Sequence, residues 1–458
     1  MGAGKRDVRL VAEVRAGDAE AVRALLAAGA DPNAVDETGL PVLCAAVATF
    51  DASVAEVLVD GGADPDRPLP DGTTALLRAV ELGSPALLWA VLGPEPRSRL
   101  PETARGRLLT VARNWYDTGV AEELRRRTGA RGAAETVRVQ DDEYNHVDQV
   151  SLGGLTVRAG HGAVLTSLER AFRVPAPAEE LVARALRQPD ENHVDCSAAR
   201  FALARRSDDR TWSALAALRR HPDPAHRLFA ARVLWSCDPL LDEVHPYGRR
   251  RSELCAAWAL EEPDDEVLAE VLDTFGNCEH PDMEAVGLRH AAHRDPRVRR
   301  QVPDLLCTEG VPPASDAEDA LLTLAHDPDP LVRAAVHTVC RGMPGLTSRM
   351  SRELVAATRD PHVTVRSVAA ETLAASSDRS PAATAALGPA RRGAPADPAG
   401  GRLRAGPARR PPHRGGVRPG RAARPRLRAR PPAPCAAGKA VARGGSRPQG
   451  HRGSLRGR

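Results

Sequence analysis

An all-α tandem solenoid is the fold class this sequence predicts, on three observations. GADPN at residues 29–33 returns as GADPD at 62–66, an offset of 33, and Gly39 returns as Gly72 at the same offset. Further along, a turn of Asp, His and Pro leading into an arginine occurs four times, ending at Arg227, Arg299, Arg333 and Arg366, with a weaker copy, EPDDEVL, ending at Leu268. These anchors lie 41, 31, 34 and 33 residues apart. Self-similarity at a period of about 20 to 50 residues marks stacked supersecondary units. Aromatic residues make up only 3% of a chain that is 42% hydrophobic, so Ala, Leu and Val must do the packing. That composition favours helices with small contact residues over a β-sandwich.

The first array is expected over residues 5–132. Between the two GADP loops the text DETGLPVLCAAVATFDASVAEVLVDGGADPD reads as helix, short turn, helix and a Gly-led loop shaped by Asp and Pro. With LLAAGADPNAVDETG and the 33-residue offset, this stretch resembles the ankyrin repeat. The resemblance implies a leading half-repeat at 7–30, fuller repeats at 36–67 and 71–94, and a cryptic fourth at 104–130. The family's TPLH is reduced to PVLC at 41–44 and TALL at 74–77, so most of its Thr and His hydrogen bonding should be missing.

Residues 133–164 read as a linker. VSLGGLTVR at 150–158 holds two short β-prone runs around Gly153 and Gly154, a hairpin signal. The acidic run DDEYNHVD before it could offer Asp141, Asp142, Glu143 and His146 to a metal, but the spacing fits neither an EF-hand nor a zinc site. A solvated interdomain loop is the preferred reading.

The second array is expected over 165–388. Apolar-periodic segments such as WSALAALRR, LCAAWAL, MEAVGLRHA, DALLTLA and ELVAATR each precede a turn and a second helix. Asp or His should cap that second helix while Pro sets φ in its first turn. A further pair is expected at 178–206, around the turn RQPDENHVD. The acid six residues before an arginine across DPxxxVR resembles the HEAT repeat, in which these two positions form a ladder between successive repeats. Asp327 with Arg333 and Asp360 with Arg366 match in full. Arg227 and Arg299 keep only the arginine, with His221 and His293 at the acid position, and Glu262 keeps only the acid, facing Leu268. An unbroken ladder is therefore not expected, and these residues are assigned a structural role.

The net charge of +4 hides a split. Of 64 bases and 60 acids, 19 bases and one acid fall after residue 390, leaving 45 bases and 59 acids before it. Residues 389–458 are expected to be a disordered tail, rich in Arg, Gly, Ala and Pro and without aromatics from 391 onward. Two readings compete for it. One is a polycationic arm for nucleic acid; the other is a frameshift product, since these four residues have codons written wholly in G and C and 44 of the 45 earlier bases are already Arg.

Catalytic motifs are sought without success. GAGK at 2–5 lacks the P-loop spacing and its hydroxyl, and MGAGKR lacks the Ser or Thr of a myristoylation signal. His290 and His293 near Cys278 and His280 are the densest group of metal donors, yet turn chemistry accounts for His293. No cofactor or metal is expected. The eight cysteines are scattered singly and read as buried reduced thiols of a cytoplasmic protein, and no run approaches the roughly 18 apolar residues of a membrane span. The acidic body would repel a duplex, so nucleic acid could bind only through the tail. The expectation is a non-catalytic scaffold for protein partners, with Trp89, Trp115 and Tyr116 as candidate anchors if exposed. A HEAT-like lyase or hydrolase is the remaining alternative.

Overall fold

The computed structural model describes residues 3–188, 190–237, 247–307, 312–343, 345–376 and 380–390. The basic tail from 391 onward, with both readings of it, lies outside the described residues.

Helix pairs open the chain: α1 (Ala3–Ala16) with α2 (Ala19–Ala27), α3 (Val42–Ala48) with α4 (Ala52–Asp60), and α5 (Ala75–Leu82) with α6 (Pro85–Leu92). The leading unit is thus a full pair, not a half-repeat. Local capping sets the boundaries. Asp18, Asp51, Thr74 and Ser84 each accept from a backbone N–H in the first turn of α2, α4, α5 and α6. Pro41 precedes α3 with no side-chain cap, so the reduced TPLH motif retains its threonine bond only at Thr74. First helices stack on first helices, α1 on α3 and α3 on α5, and second on second, α2 on α4 and α4 on α6.

The short α7 (Pro96–Arg99) leads to α8 (Glu102–Thr118) and α9 (Val120–Thr128), the pair expected at 104–130. Here the stacking changes. α8 continues the first row on α5, but α9 packs on α8 and on a small sheet. The second row is continued by α10 (His161–Phe172), which lies against α6 and α8. Accordingly Val164, Leu165, Leu168 and Phe172 of α10 belong to the same apolar core as Leu10, Leu58 and Leu88.

The sheet has the order β1-β2-β3, with β1 (Glu135–Gln140), β2 (His146–Leu152) and β3 (Leu155–Arg158) all antiparallel. The β2–β3 hairpin turns at Gly153 and Gly154, whose φ of 60° and 80° suits a tight turn that other residues resist. Strand β1 was not expected. Val150, Leu152 and Val157 pack with Leu124 of α9 and with Trp115, while Val147, on the other face of β2, meets Ala163 and Val194.

Seven more helices alternate with their partners to the end of the described chain. The first members are α11 (Ala178–Arg187), α13 (Asp209–Leu218), α15 (Gly248–Glu261), α17 (Met283–His290), α19 (Ser315–Leu324), α21 (Ser348–Ala357) and α23 (Pro381–Ala390). The second members are α12 (Val194–Ala204), α14 (Pro224–Trp235), α16 (Asp265–Gly276), α18 (Pro296–Leu306), α20 (Pro330–Val339) and α22 (Val363–Ala375). Asp223, Asp295 and Asp329 cap α14, α18 and α20, each followed by Pro at the first helical position. The second members form an unbroken row, each touching the next from α10 to α22. Overlapping apolar clusters pass the core along that row: Phe229 and Val233 of α14 pack toward α12, and Ala230 and Leu234 pack toward α16. Among the described residues the core is divided into successive clusters, as expected of stacked units that bury their faces only against neighbours.

Candidate protein-interaction surfaces

The turn arginines join consecutive pairs. Arg227 donates to both oxygens of Glu262 at 2.9 to 3.1 Å, Arg299 meets Asp327 at 2.7 and 2.8 Å, and Arg333 meets Asp360 at 2.8 Å twice. Each also donates from Nη1 to the carbonyl six residues back, at 2.8 Å for Arg227, Arg299, Arg333 and Arg366. The carboxylates close their own turns as well: Asp327 Oδ1 accepts from the Asp329 N–H and Asp360 Oδ1 from that of His362. The arginines favour the ionised form of their partners, and Asp327 and Asp360 are held below the usual carboxylate range; for Asp360 the bond from Arg333 is the leading cause, while for Asp327 burial pushes upward and is overcome by the Arg299 bond together with the Asp329 N–H and the neighbouring guanidinium charges.

Arg227 and Arg299, which lack an acid in their own turns, find one in the next turn, and the series is interrupted at Leu268. Leu268 offers no cation, and the acid position of the next turn holds His293, whose Nδ1 accepts from the Asp295 N–H at 3.2 Å. His221 does the same for Asp223. Histidine keeps the turn's hydrogen bond while omitting a charge that would find no arginine.

The three aromatic candidates part company. Trp115 is 2% exposed, stacked on His161 at 4.9 Å with the Arg127 guanidinium 4.5 Å from its ring, so it packs the interior and presents nothing to a partner. His161 is pushed down to about 4, chiefly by burial. Tyr116 is half-buried beneath Arg187, 4.1 Å from its ring, whose Nη1 donates to the Tyr116 carbonyl. Trp89, on α6, is 46% exposed.

Tyr116 borders an ionic knot that ties α8, α10 and α11 together. Arg184, with no exposed surface, donates to both oxygens of Glu169 at 2.7 and 2.8 Å and to the Thr166 hydroxyl at 2.8 Å. Glu180 and Arg113 complete it. Sequence reading missed this cluster because its members sit on three helices at no shared spacing.

Within the acidic run at 141–148, Glu143 and Tyr144 are exposed as a solvated loop would have them, but Asp141 departs from that expectation. Asp141 is buried and accepts from the Ser84 hydroxyl at 2.6 Å, the Ala86 N–H at 2.9 Å and Arg158 at 2.8 Å, pinning the β1–β2 turn to the start of α6. Asp142 Oδ1 accepts from the backbone of Tyr144 and Asn145. His290 Nε2 donates to the Ala259 carbonyl, 3.1 Å away, and His280 Nδ1 accepts from the Asp282 N–H to close a turn. Among the described residues, no three His, Cys, Asp or Glu side chains are grouped to hold a metal ion.

The row of second helices carries charged side chains between neighbours. Arg232 on α14 lies 3.4 Å from Glu191 and 3.8 Å from Glu270. Burial pushes Glu270 up to about 7 and Asp273 up to about 6, and the charge of Asp304 adds to the rise at Asp273. Cys44, Cys196, Cys237, Cys255 and Cys340 are free and buried. No helix among the described residues is long and apolar enough to cross a membrane.

Stacked helix pairs with shared cores and repeated loops define a helical repeat protein. Its N-terminal part is made of ankyrin repeats: residues 10–99 match the family model for ankyrin repeats in three copies. No curated protein matches the chain.

Proposed function

We propose that this protein is a non-catalytic scaffold that holds protein partners on its repeat surfaces, with HEAT-like repeats following the ankyrin array. The observation that carries the reading is the ankyrin match over 10–99, since ankyrin repeats are generally protein-interaction modules. The HEAT-like assignment rests on the continuous row of second helices from α12 to α22, each paired with its first helix, and on arginine pairs bridging successive turns. Domain limits of 5–132, 133–164 and 165–388 follow from that reading, with α10 starting inside the linker and serving both arrays. A cytoplasmic location is in keeping with the buried free thiols.

Binding would be spread over many repeats with affinity from a few anchors. Of the three aromatic candidates only Trp89 has the exposure to serve as one. Cross-linking mass spectrometry on the full chain in its native cells tests the proposal. Cross-links from the ankyrin loops and helix-pair faces to one recurrent protein are expected. Stoichiometric metal or a bound chromophore in the purified protein would overturn it in favour of an enzyme.

A further inference from the structure

Several arginines without a carboxylate partner gather at one concavity. A concavity of about 620 Å³ opens where the C-terminal end of α6 meets that of α10, flanked by α7 and the start of α8. Trp89, Arg97, Arg105, Arg170 and Arg173 line it, and Glu95 is the one acid among its lining residues. It exists because α10, entering from the sheet, takes the second-row position beside α6.

The Arg170 guanidinium lies over the Trp89 ring at 5.0 Å. Arg97, Arg170 and Arg173 have no ion-pair partner among the described residues, and Arg105 donates only to the carbonyls of Arg97 and Leu100. Arg170 stays solvent-exposed, and partial burial and, after it, the nearby Arg205 lower its pKa. Guanidinium forks recognise carboxylates through paired N–H donors, and an indole face accepts an apolar side chain beside them. A long polyanion would run out over an acidic body, where repulsion acts within a Debye length of about 8 Å. A short acidic segment would not.

We propose that this cleft docks a short acidic peptide segment of a protein partner, with carboxylates on Arg97, Arg170 and Arg173 and an apolar side chain on Trp89. The proposal deepens the scaffold reading and rests on it only in taking the ligand to be a protein.

The test is fluorescence anisotropy with a fluorescein-labelled short peptide of Glu and Asp interrupted by Leu, titrated with the full chain. Wild type is compared with Arg170→Glu/Arg173→Glu, with Trp89→Ala, and with a charge-matched control, Arg9→Glu/Arg23→Glu, on exposed residues of α1 and α2. All four proteins carry the basic tail, so its contribution cancels. The cleft reversal should weaken binding at least about tenfold and Trp89→Ala about fivefold, with the control within about twofold. Equal weakening by cleft and control variants would overturn the proposal, as tail or net charge would then hold the peptide. So would a single-stranded oligonucleotide of equal length that binds as tightly and loses affinity with the same reversal. A wild-type dimer separated by Arg170→Glu/Arg173→Glu, with no peptide binding, would make the cleft a contact between copies and sink it as well. Should the double variant melt early, Arg97→Glu on exposed α7 carries the same expectation. Failure here with partner cross-links intact at the ankyrin loops would leave the scaffold reading standing.

Discussion

Between the first ankyrin loops, Asn33 accepts from the Asp64 N–H at 2.9 Å and donates to the Gly62 carbonyl at 3.3 Å; between the later turns, Arg299 holds Asp327 by two charged bonds. Both joints link one unit to the next across about a repeat of sequence. The first uses a neutral amide on exposed backbone, the second an ion pair whose acid is 8% exposed. A neutral joint tolerates isolation, because either side can turn to water. A charged, part-buried joint does not, because removing one partner strands the other. This explains why the charged series is matched so strictly, with acid following arginine and histidine following Leu268.

Where the two arrays meet, the charged device is buried outright, and the largest effect is expected there. Arg184→Met leaves Glu169 without its two-bond partner inside the α8–α10–α11 junction and should lower stability by about 3–5 kcal/mol. Urea unfolding, followed by hydrogen exchange on α10 and α11, measures it. An unchanged midpoint would mean that the junction's packing, and not its ion pairs, joins the arrays.

Next comes the ladder. Asp327→Ala removes both the rung to Arg299 and the turn bond to Asp329, and should cost about 2–3 kcal/mol. Asp327→His should recover about 1 kcal/mol of that, since His293 shows that imidazole nitrogen closes the same turn without a charge. If the two variants are equally unstable, the turn bond has no weight of its own. Acid sharpens the contrast. A carboxylate held below its unfolded pKa of about 3.9 gives stability that is present above that value and lost as pH falls through the folded one. The gap between wild type and Asp327→Ala should therefore be full at pH 6 and close in acid below about pH 4.

How far these joints could be read in advance differs by chemistry. The GADP loops and the DPxxxVR turns stand out because local backbone needs, a left-handed Gly, a cap, a first-turn Pro, impose the same letters each time. The hairpin at Gly153–Gly154 was legible for the same reason. Strand β1 was not, because ETVRVQ is largely exposed and its alternation carries Glu, Arg and Gln. Nor was the burial of Asp141, which depends on Ser84 and Arg158, 57 and 17 residues away. The exchange of α9 for α10 in the second row was hidden too, since both are amphipathic and only long-range packing decides between them. Among candidate anchors, Trp89 and Trp115 could not be separated by sequence: Trp89 sits in the apolar PALLWAVL yet is exposed, Trp115 sits in the polar RNWYD yet is buried, and long-range packing decides both.

The smallest effect belongs to the neutral joint, and it is the one that keeps the comparison honest in energy terms. Asn33→Ala deletes the bonds to Asp64 and Gly62 but leaves their backbone groups near solvent, where water replaces the amide. The expected loss is about 0.5–1 kcal/mol, and because no ionised group is removed it should be the same at pH 6 and in acid. A loss as large as that of Asp327→Ala, or one that shrinks with acidification, would show that the ankyrin loops depend on their neighbouring aspartates, Asp31 and Asp64, in the way the later turns depend on theirs. The difference between the two arrays would then lie in which residues carry the joint and not in how a joint responds to losing one.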